Sequence, residues 1–575
     1  MNNRTYKANK LLEAMSKKLN RQIVGSLVAC VHCGLCTESC HYFLTNPDDP
    51  TYAPAYKADR MRKIFKRHFD WTGRILPWWV GAKSVFTDEE LEELKDIAFG
   101  KCTNCRRCSI NCPMGVDFAS FNRVMRGLLV SVGVMPEGVA VVSKDQWEIG
   151  NQMGVLPEDY IDTLEWMSEE MQSDLDDPTA VIPIDKMDAN VVYTINPREV
   201  KYDPRTISYA GKIFHLAGEN WTMPSEGWDM TNFGLFSGDD ALGGAVALRV
   251  YEKLKELRGK KLVISECGHG YRSTRCEGPN WAGVNQDLIM ESSVITMLNY
   301  IKEGKIKVDK TKNKGSYTFH DSCNNARSCG LFEEPRELLQ LVVEDFREMY
   351  PNRNENYCCT GGGGAMSMSE YTPRRLKSAK VKADQLKATG ATVVVTSCHN
   401  CVDGLTDLIK HYELGIEVTQ LVNLVANALI IPEKPAMVEV PPVEKVVKLP
   451  LAGRKILVVD DEPDILTYFS MVLEDNGATV IQAADGETAI DLCIKEKPDL
   501  MTLDINMPGK DGGWVFENLR KNPDIALTKV CIVTGRPELR RLIYDRPVPM
   551  PEGYLDKPVD EETLLFNVRK IIEVG

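Results

Sequence analysis

A chain of 575 residues is too long for one hydrophobic core, so three or four domains are expected. Apolar residues make up 43% and charged residues 26%, the balance of a soluble globular protein. The net charge of −13 argues against nucleic acid and against anionic membrane surface as partners.

In chain order, MNNRTYKANKLLEAMSKKLN has no apolar core, so no signal peptide is expected; residues 1–29 read as an amphipathic helix entering a cysteine loop. Two dense cysteine clusters at 30–40 and 102–112 flank a Trp-rich segment, FDWTGRILPWWVGAKSVFTDEE. Residues 120–200 read as mixed and helical. From about 200, strands and helices alternate. KIFHLAG, KLVISECG, SYTFHDSC and ATVVVTSC each read as a short apolar strand, and DALGGAVALRVYEKLKEL and YTPRRLKSAKVKADQLKATG read as helices. LVNLVANALII is too short to span a bilayer and reads as a core helix. IPEKPAMVEVPPVEKVVKLPLAG, rich in Pro and Val, reads as an extended linker, and a fresh strand–helix alternation follows from Arg454. The expected domains are 1–135, 136–310, 311–431, a linker 432–453, and 454–575. The fold class is multidomain α/β, with a helical ferredoxin-like domain, two cysteine-rich α/β halves and a C-terminal doubly wound (βα)5 domain.

Eighteen cysteines are many for an unsecreted chain, and they are better read as metal ligands or redox groups than as structural disulfides. Sixteen precede residue 402; Cys493 and Cys531 stand alone in apolar surroundings and read as core residues. CVHCGLCTESC places Cys30, Cys33, Cys36 and Cys40 at intervals of two, two and three residues, and KCTNCRRCSINCP repeats the spacing with Cys102, Cys105, Cys108 and Cys112. Three thiolates on a tight loop hold three corners of a cubane, while the fourth ligates the other cluster. Two [4Fe–4S] clusters are therefore expected. Zinc and disulfides are the alternatives, and this doubled spacing is not that of paired zinc knuckles. His41 stands where proline usually follows the fourth cysteine.

The stretch ENYCCTGGGGAMSM raises its own question. Cys358 and Cys359 are adjacent and run into Gly361 to Gly364. Either both thiolates meet one metal cluster or one is a target for oxidation. With Cys323 upstream and Cys398 and Cys401 downstream, the pattern is Cys-x34-CysCys-x38-Cys-x2-Cys. This resembles the cysteine-rich "CCG" domain of heterodisulfide-reductase-type subunits, with Thr360 standing before Gly361. The resemblance implies a catalytic cluster, [4Fe–4S] or non-cubane, on Cys323, Cys358, Cys359, Cys398 and Cys401. The glycines are expected to let backbone approach the cluster and keep it open to a bulky substrate. ECGHGYRSTRCEG in the first half reads as a degenerate copy. Its Cys267, His269, Tyr271, Arg272, Arg275 and Cys276 are possible active-cleft residues, and Cys329 reads as a packing cysteine.

Residues 20–430 together resemble the D-type subunit. The segments ECGHGYR and FHDSCNNARS…GLFEEPREL resemble the K subunit of the sulfite-reductase-linked membrane complex and the B subunit of the transmembrane cytochrome complex of sulfate reducers. That resemblance implies a cytoplasmic subunit, peripheral on the inner face of the membrane and not itself inserted. It would exchange electrons between a membrane cytochrome b-type or quinone module and a sulfur-carrier protein with redox cysteines. The alternatives are an electron-transfer subunit of a glycolate-, lactate- or glycerol-3-phosphate-type dehydrogenase, and a redox-signalling protein. No flavin or nicotinamide fingerprint is present.

In the C-terminal region, RKILVVDDEPDIL, LMTLDINMPGKDGG, VCIVTG and GYLDKPV read as strands that end in Asp460 and Asp461, in Asp504, in Thr534 and before Lys557. Carboxylates at strand C-termini of a parallel sheet converge in one crevice, where Mg²⁺ is expected. This resembles a response-regulator receiver. By that resemblance Asp504 accepts a phosphoryl group from a sensor histidine kinase and Asp460 and Asp461 help hold Mg²⁺. Thr534 and Lys557 contact the phosphoryl oxygens, Tyr554 is the switch residue, and the Lys557–Pro558 bond is cis.

Overall fold

The computed structural model describes residues 3–83, 86–284, 287–432, 449–535 and 548–573, and the chain forms two compact units, Met1–Glu433 and Lys434–Gly575. Most of the expected linker, 433–448, lies outside the described residues.

The first unit opens with helices Asn3–Lys18 and Arg21–Ala29 rather than one continuous helix. Asn20 breaks them: its backbone is extended at φ −120°, and its side-chain oxygen accepts from the Ile23 N–H at 2.9 Å, capping the second helix. Helices Pro54–Phe69, Asp88–Lys95 and Phe118–Ser131 complete a helical domain. Met15, Ile64, Leu94, Phe99, Phe121 and Met125 pack into its core and hold the two cysteine loops in place.

Two parallel sheets follow. The first contains β1 (Val191–Thr194), β2 (Trp221–Thr222), β3 (Lys261–Ile264) and β4 (Ile289–Ser292), in the order β2-β1-β3-β4. The second contains β5 (Ser316–His320), β6 (Asp345–Phe346), β7 (Val393–Thr396) and β8 (Glu417–Gln420), in the order β6-β5-β7-β8. Both halves share one topology, second-first-third-fourth. In each, the strands run out at their carboxyl ends into turns that carry cysteines: β3 towards Cys267, β5 towards Cys323, β7 towards Cys398. Open parallel sheets bind ligands at that edge.

KIFHLAG is not a strand. It ends the helix Arg205–Leu216, whose buried Ile207, Ala210, Gly211, Ile213 and Phe214 recur at helical spacing. The first half's opening strand lies earlier, at β1, inside the stretch read as helical.

The second unit is a five-stranded parallel sheet of β9 (Lys455–Val459), β10 (Thr479–Ala483), β11 (Leu500–Asp504), β12 (Lys529–Thr534) and β13 (Gly553–Asp556), in the order β10-β9-β11-β12-β13. Helices flank it, and its core is split between the two sheet faces. Cys493 and Cys531 are fully buried in these cores.

One side chain joins three parts of the first unit. Arg126, fully buried, donates to the carbonyls of Ala98 (2.9 Å), Cys102 (2.7 Å), Phe236 (2.8 Å) and Gly363 (2.6 Å). These carbonyls belong to the helical domain, the first half and the glycine loop. Arg126→Met keeps much of the side-chain bulk but leaves buried acceptors unpaired. It is expected to destabilise the unit by on the order of 3 kcal/mol, read as a lowered thermal unfolding midpoint; an unchanged midpoint would show that the junction does not depend on Arg126.

Candidate iron–sulfur and receiver sites

The two cysteine loops of the helical domain have the same backbone shape. His32 and Asn104 sit at φ 56° and 53°, and Gly34 and Arg106 at φ 85° and 65°. Left-handed residues at matching places curl each loop so that its first three cysteines face one point. One hollow is lined by Cys30, Cys33, Cys36 and Cys112, the other by Cys40, Cys102, Cys105 and Cys108. Phe118 lines both. The fourth cysteine of each run has thus crossed to the other loop's hollow, as the spacing predicts. Burial pushes Cys36 and Cys40 up to about 11, so these crowded sulfurs become thiolates only against a bound cation. Four cysteines per hollow suit an iron–sulfur cluster.

The CysCys site lies next to the second hollow. Cys358 is in hydrogen-bond contact with Cys105 of that hollow, with Cys323 and with Cys359. Cys359 Sγ lies 3.2 Å from Cys401 Sγ, and Cys401 meets Cys398. Cys323, Cys358, Cys359, Cys398 and Cys401 are all buried. The structure therefore brings the five sequence-predicted thiols into one continuous group. Thr103 Oγ1 stands 3.4 Å from Cys358 Sγ, and the Thr360 N–H donates to the same sulfur at 3.3 Å.

Thr360 has φ 68°, a conformation costly for a β-branched residue, which accounts physically for glycine in the family pattern at that place. The glycines after it are buried and serve backbone contact rather than openness. A Cβ on Gly361 would lie 2.1 Å from the Asn400 carbonyl oxygen, and one on Gly363 would lie 2.4 Å from that of Thr103.

Three basic groups surround these thiols; the sequence gives His320 and Lys382 no role and marks His269 only as a possible cleft residue. His320, on β5, brings a ring nitrogen within 4.8 Å of Cys359 and Cys401 sulfurs, and burial holds it well below the usual imidazole range. Lys382 Nζ, buried, donates to Asn356 Oδ1 at 2.6 Å, and burial lowers it to about 7. His269, from the first half, contacts Cys398, and its Nδ1 lies 3.3 Å from Cys267 Sγ. His269 Nε2 is buried and has no hydrogen-bond partner among the described residues. FHDSC carries a signal for His320, which lies three residues before a strand-end cysteine. Lys382 carries no such signal, because a lysine on a helix ordinarily reads as solvated.

Of the other expected cleft residues, Tyr271 is buried in the core and Arg275 stacks on its ring at 5.5 Å. Arg272 lines a cavity of about 280 Å³ together with Lys18, Thr103, Arg123 and Asn324. Cys276 does not join the five thiols and instead meets Cys329, 3.6 Å between sulfurs.

In the second unit, carboxylate oxygens of Asp460, Asp461 and Asp504 lie within 4.8 Å of one another at the ends of β9 and β11. Lys557 Nζ pairs with Asp460 at 2.7 Å and with Asp504 at 2.9 Å. Burial raises Asp460, and these carboxylates, with desolvation set against them, raise Lys557 above its ordinary range. Three converging oxygen donors suit a hard divalent cation. Thr534 closes β12, Tyr554 lies on β13, and the Lys557–Pro558 bond is cis.

Comparison with known proteins finds both kinds of domain. Three family models match: a 4Fe-4S dicluster domain over 26–116, a cysteine-rich domain over 317–405 and a response regulator receiver domain over 456–569. The Hdr-like menaquinol oxidoreductase iron-sulfur subunit 2 of Archaeoglobus fulgidus is 27% identical over 465 residues, covering 73% of this chain and 83% of the relative. The D-type subunit of the dihydromethanophenazine:CoB–CoM heterodisulfide reductase of Methanosarcina barkeri is 27% identical over 432 residues, covering 72% and 97%. The first unit is similar to the heterodisulfide-reductase-type iron–sulfur subunits, and the chain carries a response-regulator receiver domain. For that receiver, Protein PilH of Pseudomonas aeruginosa is 34% identical over 118 residues, covering 20% of this chain and 97% of PilH. This reductase-type subunit is an iron–sulfur oxidoreductase with [4Fe–4S] clusters.

The crossed ligand sets can be tested in the reductase-type subunit directly. Cys33→Ser and Cys40→Ser together remove one ligand from each hollow, so both ferredoxin-type EPR signals of the reduced protein should change. If each cysteine run filled its own hollow, one signal would survive unaltered.

Proposed function

We propose that this chain exchanges electrons between a membrane cytochrome or quinone module and a disulfide, trisulfide or thiol couple of a protein partner, with receiver phosphorylation modulating the exchange. The observation that carries this reading is the contact of Cys105 with Cys358, which sets a ferredoxin-type hollow directly against the five-cysteine group. Two [4Fe–4S] clusters on Cys30, Cys33, Cys36, Cys112 and on Cys102, Cys105, Cys108, Cys40, and a third on the CCG cysteines, would supply electrons singly to a two-electron sulfur couple. The residues around them do the rest. Cys267, kept protonated by burial, lies with His269 beside Cys398, where a leaving thiolate would need a proton. Lys382, lowered to about 7, can offset part of the buried thiolate charge, while His320, kept neutral by burial, offers the thiols only a ring nitrogen. The cavity reaches Thr103, beside Cys358; Lys17, Lys18, Arg123 and Arg272 outnumber Asp240 and Glu277 in its lining, a balance that favours a partner with an anionic sulfur or carboxylate end.

The relatives' names, a menaquinol oxidoreductase subunit and a heterodisulfide reductase subunit, support both ends of this path for those proteins. Among the described residues no helix is long and apolar enough to cross a membrane. Peripheral seating on a membrane partner is supported by exposed apolar residues: Val28 and Val31 flank Cys30, and Trp71, Trp78 and Trp79 are each more than 70% exposed. In the receiver, Mg²⁺ on Asp460, Asp461 and Asp504 would ready Asp504 for phosphoryl transfer, with Lys557 and Thr534 placed at strand ends to meet the phosphoryl oxygens.

The test is EPR on anaerobic, oxidised protein with and without a small dithiol, before and after treatment with acetyl phosphate. A thiol-dependent signal, lost in both Cys358→Ser and Cys359→Ser, is expected. Signals indifferent to thiol would reduce the chain to an electron conduit of a dehydrogenase. Phosphoryl incorporation should vanish in Asp504→Ala, and turnover that ignores both phosphorylation and this variant would remove the regulatory half of the proposal.

A further inference from the structure

Cys276 and Cys329 stand apart from the other cysteines of the first unit. They line neither ferredoxin-type hollow and lie outside the five-cysteine group. Cys276 sits in the helical turn Ser273–Glu277 of the first half, and Cys329 directly follows the turn Asn324–Ser328 of the second. Their sulfurs are 3.6 Å apart, at van der Waals contact. Both are partly exposed, whereas the five thiols of the cluster group are buried.

The pair is held rather than accidental. The helix Gly268–Arg272 packs on the turn that precedes Cys329 so closely that a Cβ on Gly268 would lie 2.4 Å from Ser322 Oγ. Arg272 Nη1 donates to Asn324 Oδ1 at 3.3 Å across the same seam. Among the described residues no His, Asp or Glu joins these two sulfurs in a metal-ligating group, and Arg272 Nε and Nη2 hold the neighbouring Glu277 through Oε1 at 3.2 and 2.9 Å. The electrostatics favour one thiol of the two. The Cys329 thiol donates to Cys276, and with Arg275 and Arg272 nearby it brings Cys276 down to about 7, while Cys329 is pushed up.

We infer that Cys276 and Cys329 form a redox-active dithiol that exchanges with disulfides from solution and closes into a disulfide joining the two cysteine-rich halves. Cys276, as thiolate, attacks one sulfur of RS–SR; that bond breaks, and RS⁻ leaves and takes up the proton Cys276 lost. Cys329 then gives up its proton and attacks the Cys276 sulfur of the mixed disulfide, releasing the second RSH. Two protein thiols are oxidised, one disulfide is reduced to two thiols, and no electron or proton is left over. The sulfurs, 3.6 Å apart, close to the roughly 2.05 Å of an S–S bond. Arg272 and Asn324 also line the cavity, so the closed bond pins that wall. The inference does not rest on thiol chemistry at the five-cysteine group.

The experiment equilibrates the anaerobic holoprotein with mixtures of glutathione and its disulfide, then traps free thiols by alkylation and maps peptides by mass spectrometry. A peptide cross-linked through Cys276 and Cys329 is expected to accumulate as the mixture becomes more oxidising, to disappear with dithiothreitol, and to leave the iron content unchanged. Cys329→Ser should trap glutathione on Cys276 as a mixed disulfide, because no second thiol remains to resolve it. A pair that stays fully alkylatable across the series would overturn the inference, as would a cross-link that forms only when iron is lost. A missing thiol-dependent EPR signal would count against the proposed function and leave this result untouched.

Discussion

The first unit turns on a buried positive charge. Among the described residues no carboxylate pairs with Arg126; it is met by four carbonyl oxygens and by the face of Phe99 at 4.5 Å. Burial lowers it to about 10, with the Cys102 sulfur the first group acting to restore it. A guanidinium in such a place is stable only if negative charge lies nearby. The thiolates of the adjoining hollow provide that charge once a cluster is bound. The same side chain then ties the Cys102 loop to Gly363, and Gly363 lets the glycine loop touch Thr103 with no Cβ between them. The closeness of Cys105 to Cys358 follows from that contact.

The two cysteine-rich halves share a sheet order yet have divided the work. The second keeps a full set of thiols at the ends of β5 and β7. The first has kept the turn after β3 and changed its contents, so that Cys267 and His269 now attend the second half's Cys398. The halves also meet through Glu266, whose carboxylate accepts the N–H groups of Leu421 and Val422 at 3.2 and 2.9 Å and is raised by burial to about 8. The degenerate copy is thus part of one site rather than a lost second one.

Much of this is legible in the sequence where chemistry imposes spacing. The crossed cysteine runs and the receiver's acidic strand ends are read directly, because three cysteines on one loop, or aspartates after apolar strands, have few other uses. KIFHLAG misleads for a plain reason: seven residues sample less than two helical turns and fit either period. The two-residue strands β2 and β6 are too short to show any pattern. Contacts across a seam carry no local signal at all, so Cys329 reads as a packing cysteine and Lys382 is given no role. The glycines after Cys359 suggest an open approach, whereas their buried backbone contacts show close packing of three segments.

The most direct test of the account is whether the second hollow and the CysCys site act as one electronic unit. Pulsed EPR relaxation on the anaerobic protein, poised so that both centres are paramagnetic, measures their magnetic coupling. The contact of Cys105 with Cys358 predicts strongly enhanced relaxation of the CysCys-site signal, abolished when Cys105→Ser removes its neighbour. A CysCys-site signal that relaxes identically with and without the Cys105 centre would contradict the line of electron transfer drawn here.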